Sequence, residues 1–414
     1  MNNFSSSVVS RFLEYIQYNT QSNEETTIYP SSVGQRELQK KLFQELKDLG
    51  IDNVVLDEHN CVYATIESNT DIDIPAIGFI SHVDTSPDVS GANVCAKLHE
   101  NYQCEDIILN ESLKLTTEQS PELLQHRGDT IITSDGTTLL GADDKAGVAE
   151  IMAFVEYIQN HPEVLHGRIG IAFTCDEEIG RGTDYFDLKQ FNCTYAYTVD
   201  GETVGEIENE TFCAYDVTVT FIGVNVHPGT AKNKMKNAIK AASYFVSLFS
   251  EEYAPENTEG YQGYMHPHRI DGQVEKAEVK ILLRDFQQQG IQFFLDKIKS
   301  YIEETKNKYG VEIVLDSQER YLNMRLVLDN TPCVVEYALE AVEKAGLSPR
   351  TQAIRGGTDG ARLSFLGLPT PNIFTGGHLF HSKLEWIGVH SMEKVVETLV
   401  NLVQVYYENA LDKK

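Results

Sequence analysis

Apolar positions recur at helical spacing over 5–18 and 34–49, and the stretch 53–66 reads as a strand. A near-continuous apolar run follows at 74–81, "IPAIGFIS". A helix over about 145–160 is then succeeded by strands "RIGIAFT" at 168–174 and "YAYTVD" at 195–200. Apolar runs that do not alternate suit strands buried on both faces with helices covering them. Helices alternating with such strands predict an open α/β sheet.

Near residue 210 the pattern changes. "CAYDVTVTFIG" at 213–223 alternates as a half-solvated strand does. A helix is expected at about 231–250, a Gly/Pro/Tyr-rich loop at 253–272, a strand at 274–284, a helix at 288–307 and a strand at 311–317. The order β-α-β-α-β is that of a small α+β sandwich, with room for a further strand inside the loop. After about 320 the α/β character returns, closing on a helix at 391–409. The expected organisation is therefore one α/β domain in two parts, 1–208 and 321–414, with an α+β domain at 209–320 inserted between them. A chain of 414 residues is long enough for more than one core.

Charge narrows the partners. With 34 basic and 62 acidic residues the net charge is −28, which argues against nucleic acid and anionic membrane surfaces and suits a cation-binding site. No stretch approaches the roughly 18 apolar residues of a membrane span. The N-terminal "MNNFSSSVVSRFLEYIQYNTQS" reads as an amphipathic helix, without the basic and apolar blocks of an export signal. Seven cysteines form no C-x-x-C pair, so neither a disulfide framework nor a thiolate zinc site is indicated. A cytoplasmic, reduced protein is expected.

Acidic and histidine residues gather where the buried strands end. His82 and Asp84 in "SHVDTSPD" follow the first run two residues apart, so on extended chain they share a side. An aspartate placed there can orient a metal-binding imidazole, although a lone histidine at a strand end is commonly structural. Glu177 and Glu178 in "CDEEIGRG" stand side by side after the next strand, either as an acidic loop or as one ligand and one proton carrier. Asp200 ends "YTVD", and His378 and His381 in "FTGGHLFHSK" follow a fourth strand. In "LGADDKAG" Asp143 and Asp144 stand at a helix entrance, where either could cap free N–H groups or bind a cation. Histidine and carboxylate without thiolate suit Zn²⁺, Mn²⁺ or Co²⁺.

These segments, with "VDGE", "NVHPGTAKNKMKNA", "LLRDF" and "RGGTDGARLSFLG", closely resemble the tripeptide aminopeptidases of a di-zinc metallopeptidase family. That family also holds aminoacylase, several dipeptidases and glutamate carboxypeptidase. The resemblance runs from about residue 18 to the final helix. It implies an exopeptidase-like α/β catalytic domain with an inserted ferredoxin-like α+β lid and dimerisation domain, and two Zn²⁺ per subunit with Co²⁺ or Mn²⁺ as substitutes. His82 and Asp200 would hold one metal, Glu178 and His381 the other, and Asp143 would bridge them. Glu177 would be the general base and Asp84 the partner of His82. The resemblance also implies a cis peptide between Asp143 and Asp144.

Two divalent ions about 3.5–4 Å apart need a bridging carboxylate and acidify a shared water. Glu177 could take that water's proton. His227 in "VNVHPGT", otherwise a turn histidine, would stabilise the oxyanion, and in related dimers it reaches the partner subunit's site. Arg284 and Arg355 would hold the substrate carboxylate. Ser382, where the family pattern has glycine, and the histidine-rich "YMHPHRIDG" depart from the pattern. The implied activity is release of the N-terminal residue from short peptides, chiefly tripeptides. The rivals are a dipeptidase, an N-acyl-amino-acid amidohydrolase, and a metal-binding protein without catalysis.

Overall fold

The computed structural model describes residues 4–412, which divide into two compact units: residues 4–209, 327–352 and 358–412, and residues 210–326 with 353–357. The first unit is built on an eight-stranded sheet. Its strands run in the order Asn53–Leu56, Val62–Ile66, Ile169–Thr174, Ile77–His82, Tyr195–Gly201, Asn372–Phe374, Glu206–Thr211, Arg350–Ile354. The four central strands, from Ile169–Thr174 to Asn372–Phe374, are mutually parallel. Ile77–His82 and Ile169–Thr174 are buried at every position, which explains why neither alternates in sequence. Parallel strands bring their carboxyl ends to one edge, where ligands collect in open α/β sheets.

The helix Ala142–Asn160 packs on this sheet and is buried along most of its length. Small residues allow the approach. A Cβ on Gly147 would lie 2.0 Å from the carbonyl oxygen of Val199, on the strand that carries Asp200. Phe79 meets Phe154 edge to face at 5.1 Å, a contact contributing about 0.5–1.5 kcal/mol beyond its buried area. The helices Ser5–Tyr15 and Val389–Leu411 add their apolar faces to the same core. No described helix is long and apolar enough to cross a membrane.

The expected strand at 53–66 is instead a hairpin. Asp57 Oδ1 accepts the N–H groups of His59 and Cys61 at 2.9 and 2.8 Å, and Asn60 adopts φ +63°, so the chain turns back and Val62–Ile66 pairs antiparallel with Asn53–Leu56.

The second unit has the order strand Cys213–Ile222, helix Ala238–Val246, strands Tyr264–Gly272 and Lys276–Asp285, helix Gln288–Tyr309, strand Glu312–Tyr321. Its antiparallel sheet runs Tyr264–Gly272, Lys276–Asp285, Cys213–Ile222, Glu312–Tyr321, the ferredoxin-like arrangement. The further strand inside the Gly/Pro/Tyr-rich stretch is Tyr264–Gly272. The helix expected over 231–250 is shorter, because Asn237 caps it by accepting the N–H of Lys240 at 3.1 Å.

Candidate metal centre

Five segments of the first unit bring side chains to the carboxyl edge of its sheet. His82 is the last residue of Ile77–His82, and Asp200 is the sixth of the seven residues of Tyr195–Gly201. Glu177 and Glu178 open a short 3₁₀ turn, Glu177–Ile179, just beyond Ile169–Thr174. Asp143 lies at the entrance of Ala142–Asn160, where neither it nor Asp144 has helical dihedrals, and the peptide between them is cis. His381, with φ +59°, comes from the loop after Asn372–Phe374.

Their donor atoms form two trios that share Asp143: His82, Asp143 and Asp200, and Asp143, Glu178 and His381, with the atoms of each within 4.8 Å of one another. Asp143 Oδ1 lies 3.0 Å from His82 Nε2, and its Oδ2 lies 3.1 Å from His381 Nε2. His82 Nε2 is also 3.4 Å from Asp200 Oδ1, and His381 Nε2 is 2.9 Å from Glu178 Oε2. Each imidazole thus points one nitrogen at two carboxylates. Asp144 faces elsewhere: it accepts the N–H of His82 at 3.1 Å and the hydroxyl of Ser81.

The electrostatics call for positive charge. Burial opposes ionisation of Asp143, yet hydrogen bonds with His381 and His82 hold its carboxyl well below the usual range. Burial and the nearby Asp143 charge push Glu178 up to about 8. Hydrogen bonds to Asp143 and Glu178 raise His381 to about 11. Burial resists charge on His82, but Asp200 and Asp143 raise its pKa well above the ordinary value. Oxygen and nitrogen donors in this density, with the buried Glu178 Oε1 left without a hydrogen-bond partner, are the donor set of a pair of borderline divalent cations.

Behind the donors, Asp84 is fully buried and ties two parts of the site together. Its carboxylate accepts the N–H groups of Glu177 and Glu178 at 3.0 and 3.1 Å, and its Oδ1 is 3.3 Å from His82 Nδ1. Glu177 belongs to neither trio, and burial raises its pKa well above the ordinary carboxylate value.

Two residues here escaped the sequence reading. Asp88 places Oδ2 3.4 Å from His381 Nδ1, as Asp84 stands to His82; the second aspartate of "HVDTSPD" was the available signal. Glu385 accepts the N–H groups of Leu140, Gly141 and Asp143 at 2.7, 2.8 and 3.0 Å. It therefore does the capping that sequence offered to Asp143 or Asp144. His378 parts company with His381: it is buried and stacks on Trp386 at 4.5 Å.

The remaining expected residues lie in the second unit. His227 is exposed, and its Nδ1 accepts the N–H of Gly229 at 3.1 Å, which leaves Nε2 to carry the proton of the neutral ring. Arg284 donates from one terminal nitrogen to the carbonyls of Tyr215 and Leu283. Arg355 donates to the carbonyls of Thr258, Gly260 and Gln262 and to the Thr258 hydroxyl, using both terminal nitrogens. In this structure its two terminal nitrogens are engaged with the 258–262 loop.

A profile described as "Peptidase family M20/M25/M40" matches residues 134–405. A protein named "Peptidase T" from Caldanaerobacter subterraneus subsp. tengcongensis is 50% identical over 404 residues, covering 97% of this chain and 99% of that one. A second of that name, from Clostridium perfringens strain 13, is 48% identical over 402 residues, with 97% and 99% coverage. The crystal structure of aminopeptidase PepT from Bacillus cereus ATCC 10987 superposes with a TM-score of 0.76 at 23% identity, covering 97% of this chain and 99% of that one.

Proposed function

The chain belongs to peptidase family M20/M25/M40, and from that membership we propose a two-metal aminopeptidase that releases the N-terminal residue of short peptides, chiefly tripeptides. The observation that carries this reading is the shared carboxylate of Asp143, whose two oxygens serve two separate histidines. The relatives named "Peptidase T" support peptides as the substrate, and the tripeptide preference rests on the resemblance of the sequence motifs.

Zinc is the proposed metal, with cobalt or manganese able to replace it. His82 and Asp200 would hold one ion, Glu178 and His381 the other, and Asp143 both. Bound there, the ions supply Lewis acidity and an acidified attacking water. The chain's own residues do the rest. Asp84 fixes the His82 ring and, through two backbone hydrogen bonds, the turn that aims Glu177. Glu177, free of the trios, takes the water's proton on a carboxylate oxygen and returns it to the leaving amine. Burial raises its pKa above the ordinary carboxylate value, the direction that favours the protonated form used in the return step.

His227 would donate its Nε2–H to the developing oxyanion, and Arg284 would meet the peptide's carboxylate. A cytoplasmic location and a homodimer formed through the second unit belong to the same proposal. All seven cysteines are free thiols, as a reducing compartment requires. Metal analysis with rates on Ala-Ala, Ala-Ala-Ala, Ala-Ala-Ala-Ala and N-acetylalanine tests the reading. Two ions per chain and a preference for the tripeptide are expected. Faster hydrolysis of Ala-Ala or N-acetylalanine would replace it with a dipeptidase or an amidohydrolase.

A further inference from the structure

The loop that carries Glu177 and Glu178 is gripped from two sides. One grip comes from the segment 26–35. Asp176 accepts the N–H of Ser31 and the Gln35 amide, each at 2.7 Å, and Arg181 reaches the carbonyls of Thr26 and Ile28. The other comes from the short helix Asp359–Phe365, formed by the part of "RGGTDGARLSF" to which no role has yet fallen.

Asp359 opens that helix and is 4% exposed. Its Oδ2 accepts the hydroxyl of Thr174, the last residue of the strand before the loop, at 3.0 Å. The same carboxylate lies flat against Gly182 at the loop's far end, where a Cβ would come 2.2 Å from Oδ1 and 2.3 Å from Oδ2. One turn along the helix, Arg362 donates to the carbonyl of Gly180 and pairs with Asp184 at 2.9 Å. One helix therefore touches the chain on both sides of Glu177 and Glu178. Asp359 belongs to neither trio of donors, so metal binding does not account for burying its carboxylate. Burying a carboxylate costs free energy unless its hydrogen bonds offset the desolvation, and the bond this one has goes to the strand end just before the loop.

We propose that Asp359 and Arg362 are positioning residues for Glu177: they clamp the 176–184 loop so that the base stands at a fixed distance from the reacting atoms. This rests on the reading of Glu177 as general base. Displacing a reacting group by about 1 Å costs on the order of 100-fold in rate, so a loosened clamp should act on turnover more than on binding.

The test uses the metal-loaded enzyme and its Arg362→Ala, Asp359→Ala and Gly182→Ala variants, with kcat and KM on Ala-Ala-Ala, metal content and Tm measured for each. Each single variant is expected to keep two metals and a KM near that of the wild type while kcat falls about 10- to 100-fold. Gly182→Ala combined with Asp359→Ala should lose no more than the worse of the two, because removing the carboxylate makes room for the new Cβ. Should Asp359→Ala fail to fold, Arg362→Ala, whose side chain is 29% exposed, decides the question alone. A lower Tm with kcat within twofold of the wild type would make the clamp purely structural and overturn the proposal, as would multiplying losses in the double variant. A metal-loaded wild type inactive on every peptide would instead overturn the reading beneath it, and this assignment with it.

Discussion

Asp143 donates its backbone N–H to Glu385 at 3.0 Å, while its side chain turns towards His82 and His381. Glu385 is 1% exposed and also accepts the N–H groups of Leu140 and Gly141. One distant carboxylate therefore satisfies the turn that presents the side chain shared by the two trios. Glu385→Ala would strand three buried donors, each costing about 1–3 kcal/mol. Some relaxation is expected, so urea unfolding should show a loss of about 2–5 kcal/mol, and metal content should fall below two per chain. Unchanged stability and full metal content would refute this role.

Glu177→Gln should keep both metals and lose turnover by about 10²–10⁴-fold, since it removes the proposed base and spares every donor of the two trios. Metal analysis and steady-state rates on a tripeptide check it together. An ion missing from this variant would make Glu177 a ligand.

Arg284→Ala should slow hydrolysis of free tripeptides while hardly affecting those amidated at the C-terminus. A charge-assisted pair contributes about 1.5–3 kcal/mol, roughly 10- to 150-fold in kcat/KM. The competing outcome is visible in the structure, where one terminal nitrogen of Arg284 already binds the carbonyls of Tyr215 and Leu283. Equal losses on free and amidated peptides would mean that this internal bonding is its whole role.

His378 ties stability to pH. Burial lowers its pKa from 6.5 to about 4, with the Glu122 charge pulling the other way. Between those values the unfolded chain binds a proton that the folded chain refuses. Stability is therefore unaffected above pH 6.5 and falls as pH drops towards 4, by about 1.4 kcal/mol per unit and about 3 kcal/mol in all. In the presence of chelator, His378→Phe should flatten the acid side of a plot of urea-unfolding free energy against pH. An unchanged slope would place the titration elsewhere.

The buried parallel strands were legible because continuous apolar runs leave few alternatives, and the residues at their ends were legible because chemistry collects there. His82, Glu178 and Asp200 stood out on this ground, and His381 through its motif. What escaped was local competition and long reach. Asp57 and Asn60 break one apparent strand with side-chain-to-backbone bonds that hydropathy does not register. Asn237 likewise starts its helix several residues later than the apolar pattern suggests. Glu385 and Asp359 act on segments more than 170 positions away in sequence, and no periodicity connects such pairs.

The two trios differ in when they can exist during synthesis. His82, Asp143 and Asp200 have all been made once the ribosome passes residue 200, whereas the second trio waits for His381. A nascent chain can thus hold one complete set of donors long before the other. The second set is complete only when the strand Asn372–Phe374 has paired with Tyr195–Gly201 and the loop beyond it has delivered the last imidazole.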